Sequence, residues 1–362
     1  MCTKIDPDSH NLCPSWAQKQ AETGMKFIKI TWILLLLTGC SGLKKIKVSQ
    51  IEDMWFEYSP NQDLNHGSKF NGEIMLQTYD GKQHEMSKNG NLSFISRDLR
   101  KNGRSGSFTI IKKSNAFNDK NCMMTLKYIY KEEEFVKIDS VLMNFQGPLN
   151  LMYNGTDGIN GKNQRNRGTP LLLRDGKDGE HGPDGTNGAS ANNYTAHLWR
   201  DSSFIYVHIT EDVSKNVYRY QMTSGNNIHF DLSGGNGGDG GNGGDGGNGK
   251  DGEIKGDKIK RPGDAGNGGN GGNGGNGGNG GNLNIILHSN CSDIQTLISF
   301  KGKGGFAGKA GTAGEAGEPG TPLSGQQSAR QGWNGNPGQG GYKGYDGNYT
   351  LSIQDFTIAD FE

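Results

Sequence analysis

Residues 233–252 read SGGNGGDGGNGGDGGNGKDG, and residues 263–282 read GDAGNGGNGGNGGNGGNGGN. Glycine keeps one phase of three from Gly234 to Gly252 and another from Gly263 to Gly281. A period of three fits neither an α-helix nor a β-strand. It fits the left-handed polyproline II helix, which has three residues per turn and rises about 3.1 Å per residue. Each phase becomes one edge of such a helix, and an edge of glycine is one that another backbone can touch. The expected role of this stretch is architectural before it is chemical.

Working outward, two further runs share the period. Residues 302–320 pair a glycine edge with a small one (Gly304, Ala307, Ala310, Ala313, Ala316, Pro319) and carry Lys303, Phe306, Lys309, Thr312, Glu315 and Glu318 on the third. Residues 332–347 keep one regular glycine edge, as do residues 176–188. The longer runs span 16 to 20 residues, roughly 50–60 Å when extended, and matched lengths suit lateral packing inside one chain. If successive runs alternate in direction, the strand-rich connections (194–232, 283–300, 349–361) gather at one end and the loops 253–262 and 321–331 at the other. Runs with two glycine edges belong in the centre, and those with one belong at the flanks. Between residues 50 and 150 the pattern changes to short alternating strands, including Met54–Tyr58, Ile74–Tyr79, Leu92–Ile95, Phe108–Ile111, Met124–Tyr130 and Phe135–Ile138, which predicts a β-sandwich. The fold class expected is mainly β: a sandwich over 50–150, then over 151–362 a single-chain bundle of polyproline-type glycine helices with a β cap at one end.

The chain has 362 residues, 61 of them glycine, 31% hydrophobic residues and no net charge. So low an apolar content leaves part of the fold to be held by something other than apolar burial. Zero net charge gives no electrostatic case for nucleic acid. Met25 to Cys40 read MKFIKITWILLLLTGC: Lys26 and Lys29 precede a short apolar run, Ile30 to Leu37, too short to span a bilayer and typical of a signal peptide. The residues Leu37-Thr38-Gly39-Cys40 resemble the lipobox of bacterial lipoproteins. That resemblance implies cleavage before Cys40, lipidation of Cys40, a signal over 25–39, an upstream extension over 1–24 and a tether over 40–49. Ser41 after the cysteine implies the outer membrane, with the choice of leaflet open.

The Gly-Gly-Asn repeats resemble the polyglycine II bundles of springtail glycine-rich antifreeze proteins and of phage tail-fibre adhesin tips. Gly311 to Gly320, GTAGEAGEPG, resembles bacterial collagen-like proteins. Only 10 prolines and runs broken by strands favour a monomeric bundle over a collagen-like trimer, and a phase kept across seven glycines favours it over a disordered linker. The run also resembles a calcium-binding repeat, GGxGxDxUx, but Gly241 stands where that fold needs an apolar residue.

No P-loop, nucleophile elbow or zinc-protease motif occurs, so neither an enzyme nor a cofactor is expected. His197, His208, His229 and His288 all fall in the strand-rich connections, where converging imidazoles would suit zinc; scattered surface histidines are the plainer reading, and no metal is expected. Cys122 and Cys291 could pair in an oxidising envelope or lie buried apart. Trp333, Asn336, Gln339, Tyr342 and Tyr345 recur at intervals of three on one edge of the last run. An aromatic and amide row suits sugars, since rings stack on C–H faces and amides bond hydroxyls. The competing role for these rings is to cover a neighbouring segment or the strand cap. The functions expected are an adhesin or glycan-binding surface lipoprotein, a structural subunit docked on an outer-membrane protein, or thirdly a water-ordering surface protein.

Overall fold

The computed structural model describes residues 45–103, 106–112, 117, 119–170 and 174–361. The expected signal peptide and Cys40 lie outside the described residues. The protein is mainly β, with its strands in several sheets.

A short 3₁₀ turn, Val48–Gln50, leads into β1 (Ile51–Tyr58), β2 (Lys69–Thr78), β3 (Gln83–Glu85), β4 (Leu92–Ile95), β5 (Leu99–Lys101), β6 (Ser107–Ile110), β7 (Asn121–Tyr130), β8 (Glu133–Leu142) and β9 (Leu149–Met152). One sheet has the order β1-β2-β6-β5, with β3 pairing Met75–Gln77 of β2 beyond the Lys69–Asn71 stretch that pairs β6; another has the order β4-β7-β8. Strand β7 reads NCMMTLKYIY and buries every second residue up to Tyr128, as a half-buried strand must. The two sheets meet through Phe94 and Phe108, whose rings lie 5.3 Å apart, and through the Asp139 carboxylate, which accepts the Phe56 N–H. Sequence alternation located the six expected strands; β3 and β5 escaped it because three residues carry no period.

The second half contributes β10 (Tyr194–Arg200), β11 (Phe204–Glu211), β12 (Val217–Thr223), β13 (Ile228–Asp231), β14 (Glu253–Lys255), β15 (Lys258–Lys260), β16 (Leu283–Leu287), β17 (Ile298–Lys301) and β18 (Tyr349–Ile353). Residues 253–262 are not a plain loop as expected: β14 and β15 form an antiparallel hairpin around Gly256, whose φ is positive. A sheet of order β12-β11-β10-β16-β18 faces one of order β17-β13-β9. Between them lies one apolar core, including Leu149, Leu151, Leu198, Ile205, Val207, Tyr220, Phe230, Ile285 and Leu287. The border expected at residue 150 falls inside β9, because β9 pairs with β13 in this cap.

Six extended glycine segments run out from the cap: I (155–167), II (176–191), III (234–252), IV (263–282), V (302–321) and VI (332–348). Segments I, III and V follow β9, β13 and β17 and bond side by side in the same direction: Gly158 N–H donates to Asn236 O, and Gly237 N–H to Phe306 O. Segments II, IV and VI lead into β10, β16 and β18 and form a second such row: Gly182 N–H donates to Asn270 O, and Gly271 N–H to Asn336 O. Between rows the directions oppose, as where Gly241 donates to Pro183 O, Gly272 to Gly241 O and Gly338 to Gly311 O. Each row therefore continues, segment for strand, one parallel part of the cap, because strands and segments use the same lateral N–H···O=C bond. Segment I outlasts its glycines: Gln164 and Arg167 N–H still donate to Asn242 O and Asp245 O.

Contact between segments is backbone on backbone. A Cβ added to Gly179 would lie 1.8 Å from Gly244 O, and one on Gly275 would lie 2.0 Å from Thr186 O. Only glycine permits that approach.

Candidate functional site

The outer face of the row II–IV–VI is ordered by a repeated hydrogen-bond unit. Asn273 Oδ1 accepts the Gln339 N–H at 2.8 Å, while the next residue, Gly274, donates its N–H to Gln339 O at 2.8 Å. An Asn-Gly pair thus holds both polar atoms of one residue on the adjoining segment. The same unit holds Trp333 (by Asn267-Gly268), Asn336 (Asn270-Gly271), Tyr342 (Asn276-Gly277) and Tyr345 (Asn279-Gly280). Segment II clamps segment IV likewise, with Asp184 Oδ1 accepting Asn273 N–H and Gly185 N–H donating to Asn273 O. The side chain needs only an acceptor on a short stem, so His181 Nδ1 and Ser190 Oγ serve at their positions. The N–H that faces outward every third residue is satisfied this way rather than by water.

Five residues singled out in the sequence stand together on segment VI: Trp333, Asn336, Gln339, Tyr342 and Tyr345. Trp333, Tyr342 and Tyr345 are 79%, 80% and 81% exposed, so the alternative role of covering a neighbouring segment or the strand cap is overturned. Their backbone is pinned by segment IV, which leaves no inward path for the rings. Positions three apart stand about 9 Å apart at a rise of about 3.1 Å per residue. Beside them runs the amide row Asn267 to Asn279 of segment IV, and beyond it Asp178, His181 and Asp184 of segment II. The face is nearly neutral along its centre and charged at its margins. Lys303 beside Asp346 holds that carboxyl well below the usual carboxylate range. The Asp264 backbone N–H, followed by the Arg261 guanidinium, lowers Asp175.

The opposite face, row I–III–V, uses the same clamp: Asn160-Gly161 holds Asp239, and Asn242-Gly243 holds Thr312. A shallow groove of about 460 Å³ opens near the cap end of this row, lined by Asp157, Asn236, Lys301, Lys303 and Phe306. It includes none of the predicted aromatic residues. Its lysines are already engaged, Lys301 with Asp231 and Lys303 with Asp346, so the aromatic row is the stronger candidate.

The cap holds a cluster that the sequence reading did not assemble. His197 and His208 are direct cross-strand partners on β10 and β11, with ring centroids 6.4 Å apart. Phe361 stacks on His197 at 4.3 Å, and Phe356 meets both His197 and His288 edge-on. Arg219 Nε donates to Phe361 O, tying the C-terminal tail across the outer face of the five-stranded sheet. His229 belongs to the other sheet and bonds Ser299. Only two of the four histidines thus meet as neighbours, and no group of three or more metal-binding side chains occurs among the described residues.

Cys122 and Cys291 are free and buried, so the considered disulfide is not made. Cys122 lies on the inner face of β7, and the Cys291 thiol donates to Leu198 O in the cap core. Burial pushes the two thiols up to about 12 and about 11, which keeps both protonated at neutral pH. A comparison with models of protein families and another with curated proteins find no match for this chain.

Proposed function

We propose that this chain is a non-catalytic, lipid-anchored envelope protein that binds glycans through the Trp333–Tyr345 edge. In this reading the six segments are polyglycine II helices in a monomeric bundle, and the bundle is a rigid platform for adhesion. The observation that carries it is three rings about four-fifths exposed on a backbone clamped at every third residue. Exposed aromatics on a pre-ordered scaffold bind without the ordering penalty that a flexible loop would add. Rings for stacking flank Asn336 and Gln339, whose amides suit hydroxyls, the combination that sugars favour. The polyglycine assignment draws support from bonds recurring every third residue between oppositely directed rows of one chain.

The test is a glycan array with the wild-type chain and a Trp333→Ala/Tyr342→Ala/Tyr345→Ala variant. The expected outcome is loss of bound glycan in the variant with unchanged thermal stability, since exposed rings support little of the fold. Glycan binding that survives all three changes removes the reading. The anchor is checked separately: palmitate labelling of the wild type, abolished by Cys40→Ala, is the expected result.

One observation favours a second reading, a structural subunit docked on an outer-membrane protein. On the outer face of β4-β7-β8, Ile95, Thr125 and Ile138 align across the three strands, and Met123, Val136 and Leu142 are exposed around them. Exposed apolar side chains clustered on one sheet face mark contact surfaces. Co-purification with an envelope protein, lost on Ile138→Asp and indifferent to the Trp333 edge, would support it.

A further inference from the structure

The described chain repeats Asn-Gly, the dipeptide most prone to spontaneous loss of its side-chain amide. The reaction is intramolecular. The backbone nitrogen after asparagine attacks the side-chain Cγ, ammonia leaves, and a five-membered succinimide forms. Water then opens either carbonyl of that ring, giving aspartate or isoaspartate. Glycine speeds the attack because no Cβ shields its nitrogen and its backbone turns freely. By composition, segments III and IV are therefore among the least durable sequences a protein can carry.

The clamp occupies both reacting groups. In each of Asn236, Asn242, Asn248, Asn267, Asn270, Asn273, Asn276 and Asn279, Oδ1 accepts an N–H from the adjoining segment at 2.8–3.0 Å. The following glycine in every case donates its N–H to the carbonyl of that same adjoining residue at 2.8 or 2.9 Å. Attack would require the side chain to swing towards its own backbone and the glycine nitrogen to leave its acceptor, so both bonds must break together. Asn89-Gly90 makes a contrast. It lies in a turn between β3 and β4 where Gly90 is exposed and Asn89 half-buried; Asn89 Oδ1 accepts the Asn91 N–H of the same turn and its Nδ2 donates to Met86 Sδ, so no other segment holds it. Gly90 N–H has no hydrogen-bond acceptor among the described residues, and nothing lies within 4 Å of its Cβ position.

We propose that the Asn-Gly clamps protect the glycine segments chemically as well as holding them together, and that Asn89, outside the clamps, is a deamidation site of the folded protein. Protection lasts only while the rows stay assembled. An isoaspartate sends the backbone through its side-chain carbons and adds one atom to the chain. Every later residue of that segment is then displaced from its period of three. Prolonged unfolding becomes irreversible by this route, without any enzyme or oxidant.

The test is to hold the purified chain at mildly alkaline pH, one sample folded and one in urea, and to follow tryptic peptides by mass spectrometry that separates aspartate from isoaspartate. Peptide 89–97 reports Asn89, and peptide 261–301 reports the five clamped asparagines of segment IV. In the folded sample, peptide 89–97 is expected to convert while 261–301 stays intact, more than about a hundredfold slower per site, because its reaction waits on local opening. In urea both are expected to convert at comparable rates. Conversion of 261–301 in the folded sample as fast as in urea would overturn the protection. A folded sample in which Asn89 is as inert as segment IV would overturn the assignment of Asn89.

Discussion

A single glycine shows how narrowly the segments are fitted. A Cβ on Gly272 would lie 2.1 Å from Pro183 O and 2.5 Å from the Pro183 carbonyl carbon, both backbone atoms that cannot turn aside. Gly340 belongs to the flanking segment VI, and its Cβ position meets only Gly308 O at 3.8 Å. Gly272→Ala should therefore lower stability by more than about 3 kcal/mol, within the range of severe steric lesions. Gly340→Ala should be neutral or stabilise by up to about 1 kcal/mol by restricting the unfolded chain. Thermal denaturation of the two variants checks this, and equal losses would refute the edge assignment. The difference is legible in the sequence: Gly272 belongs to a run with two glycine edges, whereas segment VI has one regular glycine edge, and Gly340 lies off it. The Asn and Asp rows were less legible. Their period placed them on one edge, but the N–H groups their side-chain oxygens accept lie on a segment 66 to 89 residues away, and no local pattern reports such a partner.

Among the elements, the C-terminal tail is the one whose hold depends on pH. It packs Phe356 and Phe361 against His197 and His208, and the Nδ1 atoms of both histidines find no partner among the described residues. Burial, followed by the nearby Arg219 and His197, pushes His208 from 6.5 down to about 4, and burial also lowers His197. A depressed histidine favours the folded form only while neutral. Its contribution is therefore full above pH 6.5 and is lost as pH falls from there towards 4. Melting temperature should fall between pH 7 and pH 4.5, and His208→Gln should remove much of that fall. A variant with the wild-type pH profile would show that the tail does not seal this pair. The sequence placed all four histidines in the strand-rich connections, but only the β10–β11 register brings two of them side by side beneath the tail.

For the whole molecule, the two kinds of packing should separate in calorimetry. Apolar burial is concentrated in the cap and in the N-terminal sheets, while the segments bury glycine backbone. Exposing apolar surface raises the heat capacity of unfolding and exposing polar backbone lowers it. The increment per residue should then fall below the usual ~12–15 cal/mol/K, and the stability curve should be correspondingly flat. A normal increment would mean that far more apolar surface is buried than the segments provide.

The sequence alone determined the period of the segments and the need for bare backbone contact, because sterics and repeat length act within a few residues. It also showed that alternating directions would gather the strand-rich connections at one end, a condition the segments meet. Only the tertiary structure decided that segments two apart in sequence become side-by-side partners, that β9, β13 and β17 feed one row while the other row leads into β10, β16 and β18, and that Asn-Gly pairs grip the next segment. Those outcomes depend on hydrogen bonds between residues tens of positions apart. Such bonds become selective only when all six segments are assembled and every outward N–H must find an acceptor.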